Sequence, residues 1–162
     1  MPHQLLHMSE GTVSGAALAV RDAINLVRRY SIEELESRGK IATGRTMSTL
    51  ATSVTVSGSS VTGALTGEEQ WKYVGNGRRP GKMPPIGPIQ EWVDARGLTI
   101  SPWAVAKGIA LRGTKDWREK RTNVFVEAFK RFEQEGGEKE VENRVGQVYE
   151  QQAIELAIKY FK

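Results

Sequence analysis

The stretch from Trp71 to Trp92 (WKYVGNGRRPGKMPPIGPIQEW) constrains the fold of this chain more than any other. Its glycines allow positive φ angles, and its prolines fix φ and remove a backbone hydrogen-bond donor. These residues are Gly75, Gly77, Gly81, Gly87, Pro80, Pro84, Pro85 and Pro88. Because they interrupt both helix and strand, the sequence predicts a stiff, turning loop in the middle of the stretch.

The loop carries basic side chains and leads into a helix. Arg78, Arg79 and Lys82 lie within it, and Trp71 and Tyr73 before it are typical of a strand end or short helix packed on a core. Pro88 suits a first helical turn and Gly97 a helix stop, so we predict a helix over residues 89–96. This arrangement is typical of a surface that presents a rigid loop to a partner.

Composition indicates a single globular domain. The 162 residues are 39% hydrophobic and 26% charged, and no apolar run approaches the roughly 20 residues of a membrane span. The absence of cysteine excludes disulfides, thiolate metal sites and cysteine nucleophiles. The N-terminus lacks the basic start and apolar core of a signal peptide, so we expect an unexported protein. A net charge of +4 allows an anionic partner without requiring one.

Hydrophobic periodicity predicts an α+β fold: an N-terminal helix, a small antiparallel β-sheet with a hairpin, and C-terminal helices packed on it. Residues 1–13 show little periodicity and are expected to form a flexible arm. A helix is predicted from Ser14 and should end by Gly39. Within it, Ser31 and Glu34 match a capping box, which predicts a restart or kink near Tyr30.

The rest of the chain alternates between strand and helix signals. β-branched residues on either side of Gly58–Ser60 predict a hairpin over residues 51–66. Ser101 and Pro102 are typical of a helix start, and further helices are predicted over 123–135 and 138–162. We therefore expect a domain over residues 14–135 and a C-terminal helical extension over residues 136–162.

The loop sequence from Gly75 to Lys82 is similar to a phosphate-binding loop but departs from it where the mechanism matters. Asn76 stands where the pattern needs glycine, and Met83 stands where it needs a magnesium-binding serine or threonine. Pro84 and Pro85 follow where a helix N-terminus should face the phosphate. We do not expect nucleotide binding.

Residues suited to catalysis are also sparse. The two histidines, His3 and His7, both lie in the predicted arm, and sharing a metal between them is less plausible than an incidental pairing. The abundant carboxylates lie on charged helical faces, where solvation explains them. We therefore expect no enzyme activity, no metal and no cofactor.

Two basic groups are candidates for binding. Arg78, Arg79 and Lys82 form one; the other surrounds Trp117. Solvated charge, a protein interface and a nucleic-acid contact all remain open for them, because arginine beside aromatic residues is typical of both kinds of interface. The second group comprises Lys115, Arg118, Lys120 and Arg121. The candidate interface residues are Arg78, Arg79, Lys82, Trp71, Tyr73, Trp117 and Arg118.

Six short motifs follow one another along the chain: TGRTMSTL at Thr43–Leu50, YVGNG at Tyr73–Gly77, RPGKMPP at Arg79–Pro85, the helix and turn over Ile89–Leu98, the Ala-rich helix Pro102–Leu111 and the turn Arg112–Thr114. In this order they resemble the tail-completion, or head–tail joining (neck), proteins of tailed bacteriophages. The likeness covers roughly residues 14–135. It departs from the family pattern at Gly75, where an acidic residue is common, and at Asp116–Arg118, which stand in place of an Arg-Pro-Phe motif.

The resemblance implies a small α+β structural subunit that catalyses nothing. It implies a homo-oligomeric ring, six- or twelve-fold, between the capsid connector and the tail, assembled in the host bacterial cytoplasm and retained in the virion. Its partners would be copies of itself and neighbouring connector, adaptor and tail proteins, with no membrane. If the ring encloses the DNA path, Arg78, Arg79 and Lys82 would make non-specific contact with the genome. The alternative is a nucleic-acid-binding accessory module that uses the same loop.

Overall fold

The computed structural model describes residues 10–40, 45–58, 60–68 and 71–160. Within them the chain forms helices around one two-stranded antiparallel sheet, which confirms the predicted α+β class. The elements are α1 Glu10–Ser37, α2 Arg45–Ser48, β1 Ala51–Ser57, β2 Ser60–Thr66, α3 Trp71–Asn76, α4 Ile86–Ala95, α5 Pro102–Arg112, α6 Lys115–Arg118, α7 Val124–Gln134 and α8 Gly137–Tyr160.

Helix α1 is the centre of the fold, with the hairpin, α7 and α8 packed around it. Its apolar residues recur at three- and four-residue spacing, so they share one side of the helix. Ile24, Val27 and Tyr30 are buried there with Ala128 and Phe132 of α7. Burial of such side chains contributes about 1.5–3 kcal/mol each, so this contact is a main source of stability.

A second buried cluster joins the end of α1 to α3 and α7. It contains Leu35, Leu50, Trp71 and Val124. The Trp71 ring meets Phe125 edge-on, with ring centroids 5.6 Å apart, and its Nε1 donates to Oγ1 of Thr49 at 3.2 Å. The cluster fixes α3, and therefore the start of the Gly/Pro loop, against the core.

Helix α1 is continuous, so the predicted capping box and restart are wrong. Ser31 is fully buried, and its hydroxyl donates to the carbonyl of Val27 at 2.8 Å instead of capping a helix start. Its neighbours pack into the core at helical spacing, and this packing outweighs the local capping signal. The helix also begins at Glu10, earlier than the predicted Ser14, and it ends before Gly39 as predicted.

The hairpin forms where the β-branched alternation predicts it. Val56 pairs with Val61 and Ser57 with Ser60, and Gly58 has the positive φ of 58° that a tight turn requires. Gly63 faces α1, where an added Cβ would lie 3.0 Å from Cγ1 of Val20. The absence of a side chain there lets the hairpin approach α1 closely.

The C-terminal helices follow the predicted boundaries. Asn123 caps α7, because its side-chain oxygen accepts the amide of Phe125 at 2.7 Å. After Gly136, α8 runs back along α1, where Arg144 donates to Asp22 at 2.9 Å and Val148 packs against Gly15. In the described residues 137–160, the predicted C-terminal helix therefore packs on its own domain.

Some predictions fall outside the described residues. These are the arm as far as residue 9, with His3 and His7, and residues Thr43 and Gly44 of the first family-like motif. Among the helices that the structure describes, none combines the length and the apolar character needed to cross a bilayer.

Candidate functional site

The Gly/Pro loop between α3 and α4 is bonded to the end of α5 and the turn after it. The amide of Gly81 donates to the carbonyl of Ala110 at 2.7 Å. The amide of Thr114 donates to the carbonyl of Arg78 at 2.9 Å, and the amide of Arg78 donates to Oγ1 of Thr114 at 2.8 Å. These three bonds hold the basic part of the loop against residues 110–114.

Two glycines allow the loop to lie so close to that turn. Gly77 has φ 74°, and a Cβ added there would lie 2.7 Å from both Oγ1 of Thr114 and the backbone nitrogen of Trp117. Gly113 has φ 73°, and its added Cβ would lie 2.8 Å from the carbonyl oxygen of Arg78. Both positions therefore need glycine for backbone conformation and for space.

The two basic groups seen in the sequence consequently lie side by side. A concave region of about 710 Å³ beside α6 is lined by Asn76, Arg112, Asp116, Trp117, Arg118, Lys120 and Arg121. We call its cations, together with those of the adjoining loop, the basic surface. The basic surface comprises Arg78, Arg79, Lys82, Arg112, Arg118, Lys120 and Arg121.

Positive charge is concentrated in these segments. Residues 78–82 and 112–121 hold eight basic and two acidic side chains, whereas the whole chain has a net charge of only +4, so the remainder is slightly acidic. The two carboxylates already have partners: Asp116 pairs with Lys40 and Arg121, and Glu119 pairs with Arg121 and Lys115. They do not neutralise the rest of the surface.

Most cations of the basic surface make no ion pair with another described residue. These are Arg78, Arg79, Lys82, Arg112, Arg118 and Lys120. Lys120 also adopts φ 50°, the left-handed conformation, which ends α6 and turns the chain so that Lys120 and Arg121 both line the concave region. A cluster of unneutralised cations attracts anions.

The predicted interface residues divide between surface and core. Arg79, Lys82, Trp117 and Arg118 are exposed on or beside the basic surface. The Arg78 guanidinium lies 4.7 Å from the centroid of the Tyr73 ring and donates to the carbonyl of Lys82 at 3.1 Å, so it also stiffens the loop. Trp71 is only 6% exposed and belongs to the core.

Arg112 was missed by the sequence analysis. It is the last residue of α5, directly before Gly113, and the turn at that glycine directs the chain past the Gly/Pro loop. A basic residue in the last turn of a helix is commonly explained by its favourable interaction with the helix dipole. The sequence therefore gave no reason to connect Arg112 with the Gly/Pro loop.

The structure also contains an apolar groove that the sequence analysis did not predict. It lies among α3, α4 and α5, has a volume of about 500 Å³, and is bordered by the ion pair between Lys40 and Asp116. Its apolar lining consists of Tyr73, Val74, Pro88, Ile89, Trp92, Val105 and Ile109. Ile89 and Trp92 are spaced to share one side of α4, and Val105 and Ile109 to share one side of α5. This spacing was the sequence feature that could have indicated the groove.

Large apolar side chains are exposed at two further places. The first is α5 with the turn before it, where Trp103 is 53% and Leu111 is 69% exposed, next to exposed Leu98 and Ile100. The second is the end of α8, where Ile154 and Ile158 are both more than half exposed. Helix α5 packs on α4, whereas α8 packs on α1 and α7, so these are different surfaces.

The shifted pKa values belong to the contact of α1 with α7 and α8. A hydrogen bond from Arg144, and then one from Arg21, lowers the pKa of Asp22. The hydroxyl of Tyr30 donates to Glu135; this bond raises the pKa of Tyr30 and, together with Arg131, lowers the pKa of Glu135. These groups stabilise helix packing.

In the described part of the chain, no three metal-ligating side chains are grouped to hold an ion.

Comparison of the chain with protein-family models, with curated proteins and with solved structures finds no match.

Proposed function

We propose that this chain is a structural virion protein of a tailed bacteriophage that forms an oligomeric ring at the head–tail interface and joins the connector to the tail. The order of the neck-like motifs along the chain supports the proposal. The observation that carries it is the exposure of large apolar side chains on two separate surfaces, α5 and the end of α8. Exposed apolar clusters of this kind mark sites of protein association.

Two different surfaces suit a ring. In a head-to-tail ring, one surface of each copy meets a different surface of the next copy, and the rotation between copies closes the circle. We propose that the α5 surface, with Trp103 and Leu111, receives the α8 surface, with Ile154 and Ile158, of the neighbouring copy. Each copy would then bury both of its apolar surfaces.

The Gly/Pro loop suits contact with a partner other than the neighbouring copies in the ring. Its bonds to Ala110 and Thr114 fix its conformation before any partner binds. A pre-organised loop loses little conformational entropy on docking, so more of its contact energy contributes to affinity. The expected partners are further copies of the chain and the adjoining connector, adaptor and tail proteins, in the virion neck and without a cofactor or catalysis.

Native mass spectrometry of the purified protein over a range of concentrations tests the ring. We expect a discrete closed oligomer, formed by the protein alone or with the neighbouring virion proteins. A chain that stays monomeric or dimeric under both conditions would contradict the proposal. The stoichiometry, six or twelve, is read from the same spectra.

Two variants test the head-to-tail arrangement. Leu111→Glu damages the α5 surface and Ile158→Glu damages the α8 surface, and because both side chains are exposed the folded monomer should be unaffected. Each variant alone should be monomeric, whereas an equimolar mixture should give heterodimers, since one intact surface of each kind remains. An interface between identical surfaces would instead leave one of the variants dimeric by itself.

The basic surface favours a second candidate function, a nucleic-acid-binding accessory module that acts without forming a ring. Such a module predicts a monomer or dimer whose DNA affinity falls steeply as salt rises. The mass spectra therefore separate the two functions, because only the structural subunit requires a closed oligomer.

A further inference from the structure

We propose that the basic surface binds the phosphodiester backbone of double-stranded DNA without reading its sequence. The inference deepens the proposed function by naming a partner for this surface. Only the expectation that the bound DNA is a packaged duplex rests on the proposed function. Binding itself needs one folded copy, so it can be measured on the monomer.

The distribution of charge favours an anionic partner. Six of the seven cations in the basic surface are without an acidic partner among the described residues, while the rest of the chain is slightly acidic. Closely spaced cations repel one another in the free protein. A phosphate backbone relieves this repulsion and releases condensed counterions, which is the main source of non-specific DNA affinity.

The basic surface is also rigid. Two segments far apart in sequence contribute to the surface, and their relative position is fixed by the bonds between Arg78 and Thr114 and by the close packing at Gly77 and Gly113. Their cations are held around one concave region of about 710 Å³ and along its adjoining loop. A surface fixed in this way loses little entropy when it meets a rigid polyanion.

The aromatic rings near the basic surface favour a duplex over a single strand. Single-strand binders stack successive bases on several free aromatic rings. Here the Tyr73 ring is already occupied, with Arg78 4.7 Å and Lys72 5.0 Å from its centroid. Among the residues that line the concave region, only Trp117 offers an aromatic face. Backbone phosphates are therefore a better match than unstacked bases.

The same surface is a poor match for a protein partner. The centres of protein–protein interfaces are depleted in charged residues and rich in apolar ones. The lining of the concave region is mostly charged, and the exposed apolar residues of this chain, such as Trp103 and Leu111, lie on α5 instead. We therefore assign the basic surface to DNA and the apolar surfaces to protein.

The test is fluorescence anisotropy of a labelled, mixed-sequence DNA duplex titrated with the full chain at several salt concentrations. The Arg78 guanidinium is engaged by Tyr73 and by the carbonyl of Lys82, which leaves five cations free to bind phosphate. If each of these five neutralises one phosphate, the log–log slope of affinity against salt is about −4.5. The affinity should then fall about 500-fold between 50 and 200 mM salt. Two duplexes of unrelated sequence should bind equally.

Matched triple variants locate the binding. Arg79→Gln, Arg118→Gln and Lys120→Gln together remove three cations of the basic surface and should reduce the slope by about 2.7. The control, Arg29→Gln with Lys130→Gln and Lys139→Gln, reaches the same net charge by changing α1, α7 and α8. It should keep the affinity and slope of the unchanged protein. Circular dichroism confirms that both variants fold.

Equal weakening by both triple variants would overturn the proposal, because net charge alone would then explain the binding. So would tighter binding of a single strand than of the duplex, or no binding of the duplex at 50 mM salt. Failure to form a ring leaves these measurements unaffected, so the proposed function and this inference can fail independently.

Discussion

The backbone amide of Arg78 donates to Oγ1 of Thr114, and the amide of Thr114 donates back to the carbonyl of Arg78. This reciprocal pair joins two basic segments that the sequence places on opposite sides of α4 and α5. Two separate charged stretches therefore become one surface. The positions of Arg78 and Thr114, more than any single cation, determine what this face of the molecule can bind.

Replacing Thr114 with valine should loosen that connection. Valine keeps the shape of the side chain but cannot accept the amide of Arg78, and a part-buried donor left unsatisfied costs about 1–3 kcal/mol. We expect the free energy of unfolding, measured in urea, to fall by about that amount, and DNA binding to weaken. Thr114→Ser, which keeps the hydroxyl, is the control and should bind DNA as the unchanged protein does. Equal loss in both variants would show that the hydroxyl is not the important group.

Gly77→Ala should be strongly destabilising. The left-handed φ of 74° costs a side chain about 1–2 kcal/mol, and the new methyl would meet the backbone nitrogen of Trp117 at 2.7 Å. We expect a total loss above about 2 kcal/mol in thermal or urea unfolding. Gly87→Ala is the matched control, since Gly87 lies in α4 with open space around its Cβ position. That variant should be neutral or slightly stabilising, and a similar loss in both would contradict this account of the loop.

Trp71 and Trp117 should respond differently to truncation. Trp71→Ala removes a buried ring from the cluster with Leu35 and Val124, so we expect a loss of about 3–5 kcal/mol in stability. Trp117 is nearly half exposed, and Trp117→Ala should cost about 1 kcal/mol or less. Urea unfolding followed by circular dichroism measures both. A small loss at Trp71 would mean that its cluster is not essential to the core.

The α+β class was predictable because long segments carry clear periodicity. The apolar spacing in α1 and α7 and the alternation of β-branched residues in the hairpin each indicate a single element type, and the glycines at 39, 97 and 113 mark where helices end. Ser31 shows the limit of such local signals. Its capping pattern is sound on its own, but burial against the core keeps it inside a continuous helix.

The candidate site was predictable only in part. The basic character of the Gly/Pro loop and of the segment around Trp117 is visible in the sequence, but their contact is not. It depends on tertiary bonds such as that between Gly81 and Ala110 and on the space that Gly77 leaves. The role of Trp71 was ambiguous for a similar reason: an aromatic residue beside a loop can serve the core or the surface, and only packing decides between them.

Acid should weaken the contact of α8 with α1. Arg144 and Arg21 hold the pKa of Asp22 below its ordinary value in the folded chain. The carboxylate therefore contributes stability that is fully present above the unfolded pKa of about 4. This stability is lost as the pH falls through the pKa of the folded state. Tyr30 and Arg131 likewise lower the pKa of Glu135, so this carboxylate also contributes stability that is lost in acid. We expect the free energy of unfolding to decrease below about pH 4.

Asp22→Asn isolates one part of this acid effect. Asparagine cannot ionise and keeps the size of the side chain, so the variant should be less stable at pH 7 and should lose less stability between pH 5 and pH 3 than the unchanged protein. At the alkaline end the direction reverses for Tyr30: its raised pKa means that its contribution is present below about pH 10 and is lost above it. Urea unfolding across this pH range, with Tyr30→Phe as the second variant, measures both effects. Parallel pH curves for the unchanged protein and Asp22→Asn would show that the bond between Asp22 and Arg144 does not stabilise the packing of α8.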